Sequence, residues 1–582
     1  MGRLISSMRQ ITLLLFSLIA VFAVCSCSGL SPSLSSSSKW TLFVNGTIYI
    51  DADTKVNNLL VRDGVVAGFD VSPNKFQNAE IVDLKGAAAY PGFNDSHVHL
   101  ISMAVTGSIM VPTDGETDPT KIVARVGTRC QQVAPGTPVM AHGFVLKDYD
   151  NDWSLANLET LDQATGPNCP VMIADQLGHS YIVNTAAMKL SGLDGSTADP
   201  PGGKIVKKGG KPTGMLRETA GAIVGNKTIF PLVQDSQVKP LAAFLMKKWA
   251  NMGYTSTVEL MGGPMGRTMK PELCRQLERE GALPLRINYA YTFFSLDDIA
   301  PRDTDRDTEL VHFAGLKLFV DGAAGQGGAW TSWPNQYSLN AVTTDDSQGE
   351  KYNIFKILEK SEELGLDMHY HVGGDKAIDA VLSAIEAVKT KKGRLTGRHT
   401  LYHLGLITDD QITRMKNLGA SVIAGVQPSL HWEAQKEQTK YYYGDHAKGS
   451  YPYRKMRVAG IPLAFSTDYA SNTEALSWPT EIMRVALTGG GNPDNQPLTM
   501  RDMIEGFTVG GFATTRETNV GKLHIGYKAD IVVYEKDLYS VPPEELSKDN
   551  PRVLSTWIGG QRVTPFLQHG ADSRISRIPN SL

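Results

Sequence analysis

DMHYHVGGDKAIDAVLSAIEAV, residues Asp367 to Val388, decides the fold. It opens on a short apolar run in which His369 and His371 share one face by period two, passes through Gly373-Gly374, and then carries apolar residues at helical spacing from Lys376 to Val388. That is a strand, a loop and a helix. Other runs end in the same way on a single polar group. Gly315 to Asp321 (GLKLFVD) holds Lys317, His399 to Leu404 (HTLYHL) holds His403, and Ile461 to Asp468 (IPLAFSTD) ends on Asp468. Repeated units of this kind imply a parallel sheet with helical crossovers, and their number over about four hundred residues favours a closed (β/α)8 barrel of the TIM type. In such a barrel the carboxyl ends of the strands converge on one mouth, so residues far apart in sequence become neighbours.

Upstream, Tyr90 to Leu100 reads YPGFNDSHVHL and ends an apolar run on two histidines spaced two apart. On a strand, alternate side chains share a face, so His97 and His99 can grip one ion. The bland reading, a pair of surface or hydrogen-bonded histidines, is outweighed by the preceding Pro-Gly-Phe, by Asp95 and by the partners downstream.

Seven motifs in order carry a family resemblance. They are PGFNDSHVHL (Pro91 to Leu100), ADQLGHSYIVNTAAM (Ala174 to Met188), GLKLFVDGA (Gly315 to Ala323), HVGGDKAIDAVL (His371 to Leu382), YHLGLITDDQI (Tyr402 to Ile412), AGIPLAFSTDYA (Ala459 to Ala470) and GKLHIGYKADIVVYEKD (Gly521 to Asp537). On these the chain resembles the amidohydrolase superfamily and, within it, the amidohydrolase-3 group of YtcJ-like and N-substituted formamide deformylase-like proteins, from about Thr41 to Val563. The resemblance implies a hydrolase whose metal is held by His97 and His99 from the first strand, His371 from the fifth, His403 from the sixth and Asp468 from the eighth. It also places Lys317 where many members carry a carbamylated lysine that bridges two metals. An unmodified lysine is a cation with no lone pair to give, so Lys317 is a ligand only if carbamylated. Otherwise it anchors a substrate carboxylate or phosphate, or pairs with a nearby acid such as Asp321.

Imidazoles with a carboxylate suit zinc first, and equally iron or manganese, as one ion or two. A bound ion lowers the pKa of its water from 15.7 to roughly 7, supplying a nucleophile for a carbonyl at neutral pH. Asp468 is expected to take the proton and return it to the leaving nitrogen, with His403 or the metal polarising the carbonyl. A lone Asp after a strand is otherwise a helix cap.

His179 (in DQLGHSYIVN), flanked by Asp175 and Asn184, and Glu218 (in GMLRET) match positions that the family places near the substrate. A loop histidine is more often a surface group. His431, with Trp432, is expected to line the pocket after the seventh strand. His369 shares a face with His371 and would replace it if the register shifted. His142 matches a family position usually followed by a glycine-rich turn, rewritten here as GFVLKDYD.

The two ends of the chain read differently. Thr41 to Ala88 and Gly521 to Val563 hold short β-branched runs, punctuated by Asn45-Gly46 and Asp63-Gly64, which are read as hairpin turns. Together they predict a composite β-sandwich from both termini. The expected division is 40–88 and 521–567 for the sandwich, 89–520 for the barrel and 568–582 for a tail.

The 582 residues, 42% of them apolar, can bury a large core. Net charge is −3, from 57 basic and 60 acidic side chains without a basic stripe, so no nucleic-acid partner is expected. The glycine clusters after Asp321 and at Gly489 to Gly491 lack phosphate-loop or dinucleotide spacing. Arg3 and Arg9 precede the apolar run Ile11 to Val24 and then CSCSG, which reads as an export signal over 1–27. Lipidation of Cys27, followed by a serine-rich tether over 28–39, would anchor the enzyme to a membrane, and simple cleavage and release is the alternative. Only Cys130, Cys169 and Cys274 then remain, enough for one bridge at most. The expectation is an exported metal-dependent amidohydrolase that cuts a non-peptide carbon–nitrogen bond in a small molecule. An esterase or cyclic amidase of the same mechanism, or a surface binding protein that has kept the barrel without turnover, are the alternatives. Oligomeric state is left open.

Overall fold

The computed structural model describes residues 38–564 except 112, 114–115, 145–152, 176–177, 263–269, 302–305, 336–337, 470–472 and 492–494, and no side chains at 119 and 153–157. The expected export signal, Cys27, residues 28–37 of the expected tether over 28–39, residues 565–567 of the expected sandwich segment and the tail over 568–582 lie outside the described residues.

Eight parallel strands form the barrel: β1 (Phe93–Val98), β2 (Tyr254–Met261), β3 (Arg286–Phe293), β4 (Val311–Phe319), β5 (Met368–Val372), β6 (His399–His403), β7 (Val422–Val426) and β8 (Leu463–Phe465). The sheet order follows the chain, and its two edges meet where Val98 bridges Tyr469 and Ser96 Oγ donates to the Phe465 carbonyl at 3.0 Å. Nearly every strand residue is buried because helices cover the outer face, which is why these runs look apolar rather than alternating. The helix after β5, Asp375–Lys392, starts one residue before the expected segment and ends at Gly393, whose φ of 76° closes it without a side-chain penalty. Its Ile378, Val381, Leu382 and Ile385 are fully buried.

Two more sheets make the sandwich. One holds Trp40–Val44, Leu59–Arg62, Val65–Phe69 and Glu80–Asp83; the other interleaves both ends of the chain, with Ile531–Tyr534 antiparallel to Ala88–Pro91. Phe43, Ile48, Leu59 and Val61 pack against Ile531, Val533, Leu554 and Trp557 in one shared core. Asp63-Gly64 is the expected hairpin turn, with both φ angles positive. Asn45-Gly46 is not. The strands that flank it belong to different sheets, so it is a corner at which the chain changes layers. A Cβ on Gly46 would lie 2.5 Å from the Ala87 carbonyl, and this close approach is what the glycine permits.

Between β1 and β2 the chain builds a further mixed sheet that periodicity did not separate from the barrel. Its order is Gly203–Lys208, Lys211–Glu218, Ser180–Val183, Val171–Asp175, Val139–Phe144. Cys130, at the end of the helix Pro119–Cys130, forms a disulfide with Cys169, which precedes the Val171–Asp175 strand. Closing a loop of 39 residues stabilises by about 4 kcal/mol through unfolded-chain entropy. Cys130→Ser is therefore expected to lower the urea midpoint by a stability loss of that order, and reductant should do the same to the parent protein but not to the variant. No helix among the described residues is long and apolar enough to cross a membrane.

Candidate metal centre

The carboxyl ends of β1 and β8 bring three acceptor groups together. His97 Nε2 lies 3.3 Å from His99 Nε2 and 3.3 Å from Asp468 Oδ1, and His99 Nε2 is 3.5 Å from the same oxygen. All three side chains are buried, with acceptor atoms within 4.8 Å of one another. The backbone enforces this, since Asp468 N donates to the His97 carbonyl at 2.9 Å and His99 N to that of Tyr469 at 3.1 Å. Asp468 itself has a φ of 50° and His403 one of 75°, left-handed conformations costing of order 1–3 kcal/mol each for such residues.

A buried clamp holds Asp468 there. Asp95 accepts from Thr467 N (2.9 Å), Thr467 Oγ1 (2.8 Å) and Trp249 Nε1 (2.9 Å), so the residue before Asp468 is tied to β1 at two points. Burial pushes the Asp95 carboxyl up to about 6, against these hydrogen bonds.

Tautomers are set from outside the cluster. His99 donates its Nδ1–H to the Leu260 carbonyl at 2.8 Å, which leaves its Nε2 lone pair facing Asp468. His371 places Nδ1 3.2 Å from Asp321 Oδ1. Its ring centroid is 4.4 Å from that of His403, which in turn lies 5.3 Å from His97. His97 Nδ1, His403 Nε2 and Lys317 Nζ are buried and find no hydrogen-bond partner among the described residues. Such atoms cost roughly 1–3 kcal/mol each when left unmet. Of these, His403 Nε2, beside two converging Nε2 atoms and a carboxylate, fits a divalent transition metal.

Charge agrees with that reading. Burial holds the His97 and His403 imidazoles well below their usual range, aided by Lys317 and neighbouring histidines, so both are neutral. Burial alone would raise Asp468, but His99, Lys317 and His179 outweigh it and keep the carboxylate ionised.

Lys317 lies over the Tyr402 ring at 4.9 Å and the Phe319 ring at 5.1 Å. Its expected alternative partner, Asp321, is engaged elsewhere, so that ion pair is not formed. Burial lowers its ammonium to about 7, with the Asp468 charge opposing. Between about pH 7 and about pH 10.5 the unfolded chain therefore holds a proton that the folded one has shed, and stability rises with pH. In protein without metal or carbamate, unfolding by urea at pH 7.5 and 9.5 should show a rise of about 2 kcal/mol, absent in Lys317→Met.

The inserted sheet supplies a second pair. His179 Nδ1 is 2.7 Å from Glu218 Oε2, Glu218 Oε1 accepts from Ala323 N at 3.0 Å, and the His179 ring lies 5.9 Å from that of His371. Burial would keep His179 neutral, but the Glu218 charge and hydrogen bond raise it instead, and Glu218 is held correspondingly low. Asp175 accepts from His179 N and Ser180 N at 2.9 and 3.1 Å. Asn184 caps the helix Thr185–Ser191 and does not reach the site.

His431 stacks on Tyr451 at 4.1 Å and shares a 2.6 Å hydrogen bond with Tyr453 Oη; burial takes its imidazole down to about 3. Trp432 packs on Tyr453 in the core. His369 is spoken for by Tyr402 Oη at 3.1 Å and the Ala314 carbonyl at 3.3 Å, and the β4–β5 register sets Lys317 beside it and Phe319 beside His371. His142 lies on the inserted sheet. His179, His371, His403, His431, Gln435 and Asp468 face a cavity of about 20 Å³.

A model of the amidohydrolase family matches residues 80–564. The chain belongs to the amidohydrolase family. Among its relatives, N-substituted formamide deformylase of Arthrobacter pascens is 25% identical over 502 residues, 83% of this chain and 89% of that protein. The amidohydrolase YtcJ of Bacillus subtilis (strain 168) is 24% identical over 546 residues, 89% of this chain and 98% of that one. A solved metal-dependent hydrolase from Pyrococcus horikoshii OT3 shares the fold, with a TM-score of 0.64 and 22% identity over 87% of this chain and all of that one. This amidohydrolase is accordingly a hydrolase of a metal-dependent family.

Gln435, Tyr453 and the Leu260 carbonyl carry no sequence signal for the site, and Asp321 is legible there only as an acid near Lys317. A backbone carbonyl leaves no mark in sequence. Asp321, in KLFVDG, lies two residues past β4 as Asp468 lies three past β8, and that placement is the available signal.

Proposed function

We propose that this amidohydrolase hydrolyses an amide-type, non-peptide carbon–nitrogen bond in a small molecule. The convergence of His97, His99 and Asp468 within 4.8 Å, buried beside His371 and His403, carries the reading. Zinc is the ion we assign, held by His97, His99, His371, His403 and Asp468. When bound it would activate water and polarise a carbonyl. Lys317 joins the set after adding its free amine to carbon dioxide, which forms an N–C bond, releases one proton and leaves a carbamate anion. An unpartnered amine titrating near neutrality is suited to that addition.

The protein's own groups move the proton. Asp468, ionised and at the cluster's edge, accepts it from water as oxygen adds to the acyl carbon, then returns it to the nitrogen as the C–N bond breaks, leaving an acid and an amine. His403 or the bound ion would polarise the carbonyl oxygen, with His431 beside it on the cavity wall. The His179–Glu218 pair offers a polar anchor for the part of the substrate that does not react. The relative named as a formamide deformylase supports N-formyl or N-acyl amines as the first compounds to try.

Export and lipid anchoring through Cys27 belong to the same proposal. A disulfide between Cys130 and Cys169 supports an oxidising compartment.

The experiment is a panel of N-formyl, N-acyl, cyclic imide and ester compounds offered to zinc-loaded protein, with product amine or acid quantified. Preference for the acyclic amides is the expected result. Faster ester or imide turnover would shift the assignment to those bonds, and tight binding without turnover of any compound would make the barrel a binding protein.

A further inference from the structure

We infer that Asp321 is a positioning residue of the metal centre, holding the His371 ring so that its Nε2 is the atom presented to the cavity. The inference rests on the reading of His371 as a ligand. Asp321 lies two residues past the end of β4, four residues after Lys317, and its side chain is fully buried. One oxygen lies 3.2 Å from His371 Nδ1 and accepts from Gly373 N at 2.9 Å. The other accepts from Gly374 N at 2.8 Å, Trp330 N at 3.0 Å and, more weakly, Gly373 N at 3.2 Å.

Three of these donors are backbone N–H groups, so the carboxylate cannot turn to suit the ring; the ring must suit it. An oxygen that only accepts requires a hydrogen on Nδ1, and a neutral imidazole with Nδ1–H keeps its lone pair on Nε2. Packing makes the cradle rigid. A Cβ on Gly374 would lie 1.9 Å from the Trp330 carbonyl, so β5 and the segment around Trp330 meet backbone to backbone there. The Trp330 carbonyl also accepts from Lys376 N at 3.1 Å and Ala377 N at 3.3 Å, which ties this segment to the helix Asp375–Lys392. The loop after the lysine strand thus dictates which nitrogen the next strand's histidine offers.

Asp321→Asn tests this with little change of shape. An amide oxygen in the place of Oδ2 keeps Gly374 N and Trp330 N satisfied and retains the 3.2 Å contact with Gly373 N, three backbone donors against the one it would keep in the place of Oδ1, so the NH2 is set toward His371. Facing a donor, Nδ1 gives up its hydrogen, and Nε2 then carries one and can no longer ligate. In full-length protein, zinc affinity measured by competition with a chromophoric chelator should fall about 10- to 100-fold. Histidine-labelled NMR of the metal-free proteins, with the His371 signal assigned by its loss in His371→Gln, should show Nδ1–H in the parent and Nε2–H in the variant.

Unchanged zinc affinity overturns the inference, as does weaker affinity with the tautomer unaltered, which would make Asp321 only a brace of the loop. If Asp321→Asn does not fold, the parent's tautomer decides alone, and Nε2–H there is equally fatal. A parent that binds no zinc would sink the metal reading, while its His371 tautomer would still judge Asp321.

Discussion

Removal of the metal by a chelator is expected to bring hydrolysis down by about 10⁶-fold or more, to the level of water alone, and zinc to restore it. His97→Ala is expected to lose as much with no recovery on adding zinc. The size of the effect follows from what remains without the ion. The described cavity wall then offers imidazoles, among them the neutral His403, one carboxylate and the His179 ring that pairs with Glu218, none of which makes water a strong nucleophile at neutral pH. His97 is the decisive ligand to remove because its Nε2 is 3.3 Å from both other members of the cluster. The check is kcat/KM with metal content measured on the same samples and circular dichroism to verify folding. Activity that survives in metal-free protein would end the assignment.

Asp468→Asn is expected to lower kcat by about 10²- to 10⁴-fold, the range for loss of a positioned acid–base group, while KM changes little. The amide keeps the shape and one oxygen for the ion, so metal content should fall far less than activity. The pH profile separates this from simple damage. A base works when deprotonated, so rate falls as pH drops through its pKa, and the parent should show that acid limb. The variant's residual activity should lack the limb. A variant that keeps parental kcat would reduce Asp468 to a cap on the turn after β8.

The barrel and the order of the polar residues along its strand ends were legible because strand and helix periodicity are short-range properties. Alternation in MHYHV and helical spacing in KAIDAVLSAIEAV depend on a few neighbouring residues, and both segments fold as their pattern requires. Motif order then placed Lys317, His371, His403 and Asp468 on or just after β4, β5, β6 and β8. Asn45-Gly46 shows the limit of the same logic. Its turn chemistry is local and was visible; the sheet that each flanking strand joins depends on partners such as Leu59–Arg62 and Ala88–Pro91.

By itself the sequence determined which residues carry lone pairs and on which strands they sit. Only the tertiary structure decided which atoms of them face the cluster. Leu260 selects the free nitrogen of His99 across 161 positions, Asp321 engages Nδ1 of His371 across 50, and Asp95 pins Thr467, and so Asp468, across 372. A ring nitrogen's role is set by whatever touches its opposite edge, and that contact exists only once distant segments have closed into one barrel. The pairing of Cys130 with Cys169 and the arrival of His179 from an inserted sheet are decided in the same way, through space rather than along the chain.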